Sequence, residues 1–318
     1  IMAILLGLAI LLGSLYFGAA AVVYNVAASV PADCDGNYVG YSPADWSPPR
    51  WATDFDPAPY LTTAYEPVTI PSRDAGIELN GWWLPADDPS APAIVVVHGR
   101  GGCVRHPEVL APAGMLQAHG YSVLLIDLRD HGASTIEDGY YAGGMEEYRD
   151  VMGAVDWLIA HGVPAQRIGA LGTSMGAATA IIAAGEDERI AAVWADSSYA
   201  DLERRMREDL EQRGLPTFVV PAANFMARLI SGDDFSSHRV LDEVFELDGR
   251  DLFIAHGALD DATYVSHAHE LLAAAQAAGV DADMWVDVSA GHVDSVFLSQ
   301  DEYEARVGAF FEGAFATS

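Results

Sequence analysis

Lysine is absent from the 318 residues, so all 16 basic side chains are arginine, set against 46 aspartates and glutamates. A formal net charge of -30 and an isoelectric point near 4.3 repel phosphate backbones, which excludes nucleic acid as a partner. A lysine-free acidic composition suits high salt, and it equally suits a GC-rich genome that favours arginine over lysine. Cysteine is nearly absent too. Cys34 and Cys103 are too few for a disulfide framework or a zinc site of the usual spacing. They read as two separate thiols, with a bridge plausible only outside the reducing cytosol.

A third absence is charge at the start of the chain, where residues 1–30 contain no Asp, Glu, Lys or Arg. The run exceeds the ~20 residues that cross a bilayer and is longer than the apolar core of a cleaved signal peptide. It predicts an uncleaved single-pass anchor, with the lipid bilayer as a partner. Asp33, immediately before Cys34, argues against lipid attachment at that cysteine. The flank beyond the run is acidic, with Asp33 and Asp35 and no basic residue before Arg50. By the positive-inside rule nothing holds that flank in the cytoplasm, so the remainder of the chain is expected to be extracytoplasmic.

Residues 31–65 are rich in Pro, Trp, Tyr and Asp and show neither helical nor strand periodicity, which predicts a linker or a pinned extended arm. From 66 to 318 the pattern changes. Residues 68–71 and 77–84 read as an antiparallel pair, and 93–98, 121–128, 167–173, 190–194, 252–256 and 284–288 as short apolar strands. Helical spacing falls between them at 109–119, 146–161, 267–278 and 301–315. Such alternation implies a mostly parallel sheet covered on both faces. The segment 199–250 breaks the rhythm with two helical stretches, 201–213 and 218–230, and no strand. An insertion there lies beside the strand ends where substrates bind, so it reads as a small helical cap after the sixth strand.

The chain is organised around Gly172-Thr173-Ser174-Met175-Gly176, a G-x-S-x-G pattern between a buried strand and an alanine-rich helix. A serine hydroxyl becomes a useful nucleophile when it projects alone, beside a base and beside donors for an oxyanion. An acid and a base are then needed in the order Asp/Glu, His at later strand ends. His256-Gly257-Ala258-Leu259-Asp260-Asp261 follows the seventh strand, and Ser289-Ala290-Gly291-His292 follows the eighth.

With these pieces the sequence resembles the α/β-hydrolase family, and within it the BEM46-like and dienelactone-hydrolase-like serine hydrolases. The resemblance spans about 66–318. It rests also on Gly81-Trp82-Trp83-Leu84-Pro85, His98-Gly99-Arg100-Gly101-Gly102 and Asp127-Leu128-Arg129-Asp130-His131-Gly132. It implies Ser174 as nucleophile, His292 as general base and Asp260 as the acid that orients it, with the backbone NH groups of Arg100 and Met175 as the oxyanion hole. Asp261 is a rival acid and His131 a rival base, whereas His98 and His256 take structural places. Asp130 stands where the family commonly has Gly, which predicts a reshaped loop beside the site.

These features imply a serine hydrolase acting without cofactor or metal on a small-molecule ester, thioester or similar acyl substrate. Acyl transfer would use the same triad if water were excluded. A member of the fold without chemistry would be a binding module. Ala177, where serine peptidases of this fold often carry another Gly, points away from a peptidase.

Overall fold

The computed structural model describes residues 1–30, 34 and 36–316, so the acidic flank at Asp33 and Asp35 lies outside the described residues. Its eight strands are β1 (Glu66–Pro71), β2 (Glu78–Leu84), β3 (Ala93–Val97), β4 (Ser122–Ile126), β5 (Ile168–Thr173), β6 (Ala192–Asp196), β7 (Asp251–Gly257) and β8 (Asp281–Asp287). They form one sheet in the order β1-β2-β4-β3-β5-β6-β7-β8. The β1–β2 and β2–β4 pairs are antiparallel and the rest parallel.

Both faces are covered, and the strand period of two divides the apolar residues between them. On β3, Val95 and Val97 enter one core while Ile94 and Val96 enter the other. The first core lies under α3 (Tyr148–Ala160), α4 (Met175–Glu186) and α8 (Ser266–Ala278), and the second under α2 (Pro107–Ala118), the short α9 (Ser295–Leu298) and α10 (Gln300–Ala316). Fully buried Trp194 stacks on Phe253 at 4.2 Å between centroids and donates to the Tyr303 hydroxyl at 3.1 Å, joining two strands to α10.

The cap consists of α5 (Leu202–Gln212), α6 (Val220–Ile230) and a single turn, α7 (Val240–Glu243). Asp201 caps α5 by accepting the Arg204 amide at 2.9 Å, which satisfies one of the NH groups that a helix start leaves open. The sixth strand runs two residues further than its apolar stretch suggests, because Ala195 and Asp196 pair with Gly172 and Thr173. The eighth begins earlier, at Asp281, since an edge strand carries polar residues on its open side.

Two N-terminal segments are tied to this body. Residues 36–65 lie down as an arm, with Trp46, Ala52, Phe55 and Tyr60 buried in the second core and the Tyr60 hydroxyl donating to Glu304 at 2.7 Å. Cys34 and Cys103 are joined by a disulfide, with Cα atoms 5.6 Å apart. The reading of two separate thiols is thereby corrected, because the arm's path brings residues 69 positions apart in sequence together. The uncharged run forms α1 (Met2–Ala28), whose first turns are exposed, whereas Ala20, Tyr24 and Ala28 are buried against the domain. The Tyr24 hydroxyl donates to Asp233 at 2.9 Å, and Tyr16 and Phe17 contact Phe218 and Phe225 of the cap. By length and composition α1 is the one helix among the described residues that suits a membrane span, a test that a signal sequence also passes.

Candidate active site

The turn from β5 into α4 places Ser174 at φ 53°, ψ -119°, a conformation that L-residues avoid and that needs its surroundings to hold it. Glycine is required on both sides of it. A Cβ on Gly172 would strike the backbone of Gly176, and one on Gly176 would strike the Val97 carbonyl. The Ser174 amide donates to the Asp196 carbonyl at 2.8 Å, which fixes the elbow to the end of β6.

Three residues expected at the site come together there. Ser174 Oγ lies 2.8 Å from His292 Nε2, and His292 Nδ1 lies 2.7 Å from Asp260 Oδ2. The second Asp260 oxygen accepts the amides of Ala262 at 2.9 Å and Thr263 at 2.7 Å. A carboxylate saturated in this way stays ionised, and it leaves Nε2 of the ring as the acceptor for the serine proton. Burial pushes the Asp260 carboxyl up, but hydrogen bonds from His256 and His292 outweigh it and hold the group far below the usual range. Burial likewise lowers His292, and the hydrogen bond and charge of Asp260, with further help from Glu108 and Asp196, raise it above its ordinary 6.5.

The rivals fall elsewhere. Asp261 is exposed, and its backbone carbonyl accepts from Gln212 at 2.5 Å. His131 turns Nδ1 to the Arg129 carbonyl at 2.8 Å, and its ring lies 5.0 Å from that of His98. His98 Nε2 accepts the Leu128 amide at 3.1 Å and His256 Nε2 donates to the Thr263 carbonyl at 2.8 Å, both bracing loops. Asp130 adopts φ 61°, and its carboxylate accepts the amides of Glu137, Asp138 and Gly139 at 2.8, 3.1 and 2.8 Å. It gathers the loop beside the site into a tight bend.

Arg100 and Met175 both border the cavity at Ser174, and Met175 opens α4, where amide groups have no partner within the helix. A Cβ on Gly99 would come within 3.1 Å of the Ser174 Cβ, so the loop carrying Arg100 passes close to the nucleophile. Two cavities meet at Ser174. One, of about 100 Å³, lies under the cap, and the other, of about 230 Å³, is bordered by His106, Glu108 and His292.

Sequence motifs missed several residues here. Glu108 is pushed up to about 7, chiefly by burial. The Asp196 carboxylate accepts from Ser197 Oγ at 2.9 Å, and that oxygen accepts the Val293 amide at 3.1 Å, so β6 holds the turn carrying His292. No periodic signal marks them, although Asp196 ends β6 and Ser197 directly follows it, where such residues gather. Ligand atoms of Glu186, His238 and Glu243 also converge, but Glu186 ends α4 about 18 Å along the helix from Ser174.

The sheet order, the strained elbow and the Ser-His-Asp series define a serine hydrolase of the α/β-hydrolase fold. Residues 110–318 match the model of the prolyl oligopeptidase family, and the chain belongs to that family. It is similar to the Pyrococcus furiosus esterase Pf2001, at 25% identity and TM-score 0.65 over 86% of this chain and 98% of the esterase. The fold is shared with the α/β hydrolase GrgF from Penicillium sp. sh18, at 20% identity and TM-score 0.63 over 79% of this chain and 99% of that one. It is shared too with the Pyrococcus horikoshii acylaminoacyl peptidase, at 15% identity and TM-score 0.59, over 79% of this chain and 41% of the peptidase. No curated protein matches the sequence.

Proposed function

We propose that this chain is a membrane-anchored serine hydrolase of carboxylic esters or thioesters, of BEM46-like type, with its catalytic domain outside the cytoplasm. The hydrogen-bonded run Ser174 Oγ, His292, Asp260 at 2.8 and 2.7 Å carries the reading. Ser174 Oγ attacks the acyl carbon while its proton passes to His292 Nε2. The carbonyl oxygen gains the negative charge, and the amides of Arg100 and Met175 are its donors. His292 then protonates the leaving alcohol or thiol as the acyl–heteroatom bond breaks. Water, deprotonated by the same nitrogen, releases the acid and restores the serine. Asp260 orients the ring and stabilises the imidazolium. The uncharged run supports retention of α1 as an anchor, and the disulfide supports a domain outside the reducing cytosol.

The family match favours a second reading, peptide-bond cleavage, in which the same serine attacks an amide. Panels of aryl esters and aryl amides with full-length protein separate the two, esters being expected to turn over faster. Ser174→Ala is expected to abolish both turnover and labelling by a fluorophosphonate while the protein stays folded. Labelling that survives in that variant sinks the assignment.

A further inference from the structure

We propose that Val23 and Ala27 of α1 determine which acyl group the enzyme accepts, the anchor helix being one wall of the acyl pocket. This rests on the acyl-enzyme reading above. The cavity under the cap is bordered by Val23 and Ala27 of α1, by Leu202, Met206 and Leu210 of α5, and by Ser174. A helix brings residues three and four apart onto one face. Tyr16, Ala20, Val23, Tyr24, Ala27 and Ala28 make up the inward side of α1, while Val22 and Val26 on the other side are 63% and 74% exposed.

That inward side is fastened at two points. Tyr24 donates to Asp233 at 2.9 Å, and the Ala28 carbonyl accepts the Tyr141 amide at 3.0 Å. Val23 and Tyr16 also pack against Leu210, Val219 and Val220 of the cap region. The wall is therefore held in place.

Its chemistry selects an aliphatic acyl chain. Val23 and Ala27 bring no polar side chain to the cavity, and the charged groups bordering it, Arg100, Arg205 and Asp209, belong to the body and cap. At about 100 Å³ the space is smaller than the ~150 Å³ cavity that admits benzene. An acyl group of a few carbons fits, and each added carbon presses on α1. The roomier cavity at Glu108 is left for the leaving group.

The test uses the full chain in membranes and fluorophosphonates carrying ethyl, hexyl or dodecyl groups, with the rate of Ser174 labelling as readout. Val23→Trp is expected to slow the hexyl probe at least tenfold while changing the ethyl rate less than about threefold, the scale on which a pocket discriminates carbons. Val23→Ala is expected to shift preference toward longer chains. Val22→Trp, the same bulk one residue away on the exposed side, is expected to leave the profile unchanged. An unaltered hexyl-to-ethyl ratio in Val23→Trp, or an equal change in Val22→Trp, overturns the proposal. If the ethyl probe fails to label even the wild type, the acyl-enzyme reading falls, and this inference with it.

Discussion

Two groups of buried charge, one around Arg129 and one around Asp260, differ in what they leave unsatisfied. Arg129, 3% exposed, is surrounded by Asp74 at 2.7 Å, Asp150 at 2.8 Å, Glu137 at 3.1 Å and Glu146 at 3.7 Å. The Arg129 amide adds a bond to Asp150 at 2.8 Å. Burial lowers the guanidinium, but Asp150 and the other carboxylates outweigh it and keep it charged at any ordinary pH. In the other group Asp260 is saturated in the same way, yet the cation it supports is an imidazole, and one nitrogen of that ring points at Ser174. A closed network braces the fold. The open one is able to move a proton, because histidine titrates near neutrality and arginine does not.

The strongest way to break this contrast is at the aspartate of the open network. Asp260→Asn is expected to lower kcat by ~10⁴, since an amide does not stabilise the imidazolium. Asp261→Asn, on an exposed side chain, is expected to change kcat by less than about twofold. Steady-state kinetics on both variants check this, and a severe Asp261→Asn with a mild Asp260→Asn would move the acid to Asp261.

Next in size is the closed network. Asp150→Ala leaves Arg129 buried with its most buried partner gone and is expected to cost about 3 kcal/mol of stability, the lower end for a broken buried pair. Urea titration of the protein measures it. The pH profile of the folded fraction should be unchanged, and a displaced profile would mean that the two networks are coupled.

The smallest effect sharpens the role of Glu108. His292 must be neutral to act as base, so activity falls as pH drops through its raised pKa. Glu108, itself pushed up to about 7, supplies part of the negative charge that raises it. Glu108→Gln is therefore expected to move the acid limb of kcat/KM to lower pH, with the plateau changed by no more than about twofold. Movement to higher pH would contradict the sign of this coupling.

How much of the site could be read beforehand depended on how local its cause was. Ser174 was legible because a strand-to-helix turn at that φ demands glycine two residues before and after it, a constraint carried within five positions. Asp260 and His292 were legible because each follows a short apolar strand within a recognisable turn. Glu108 was not, since one Glu in the first turn of a helix reads as a response to the helix dipole. The Ser197 contact to the Val293 amide spans 96 positions and leaves no pattern in either segment.

The sequence by itself determined the alternation of strands and helices, the two-sided burial of the sheet, the elbow and the order of its chemical groups. These follow from side-chain periodicity and turn stereochemistry, which act over a few residues. Only the tertiary structure decided that Cys34 meets Cys103 and that α1 lies along the pocket. An apolar helix without charge carries no mark of which side will be buried. Its face is chosen by what packs against it, here Asp233 accepting from Tyr24 across 209 positions and the cap closing over Val23.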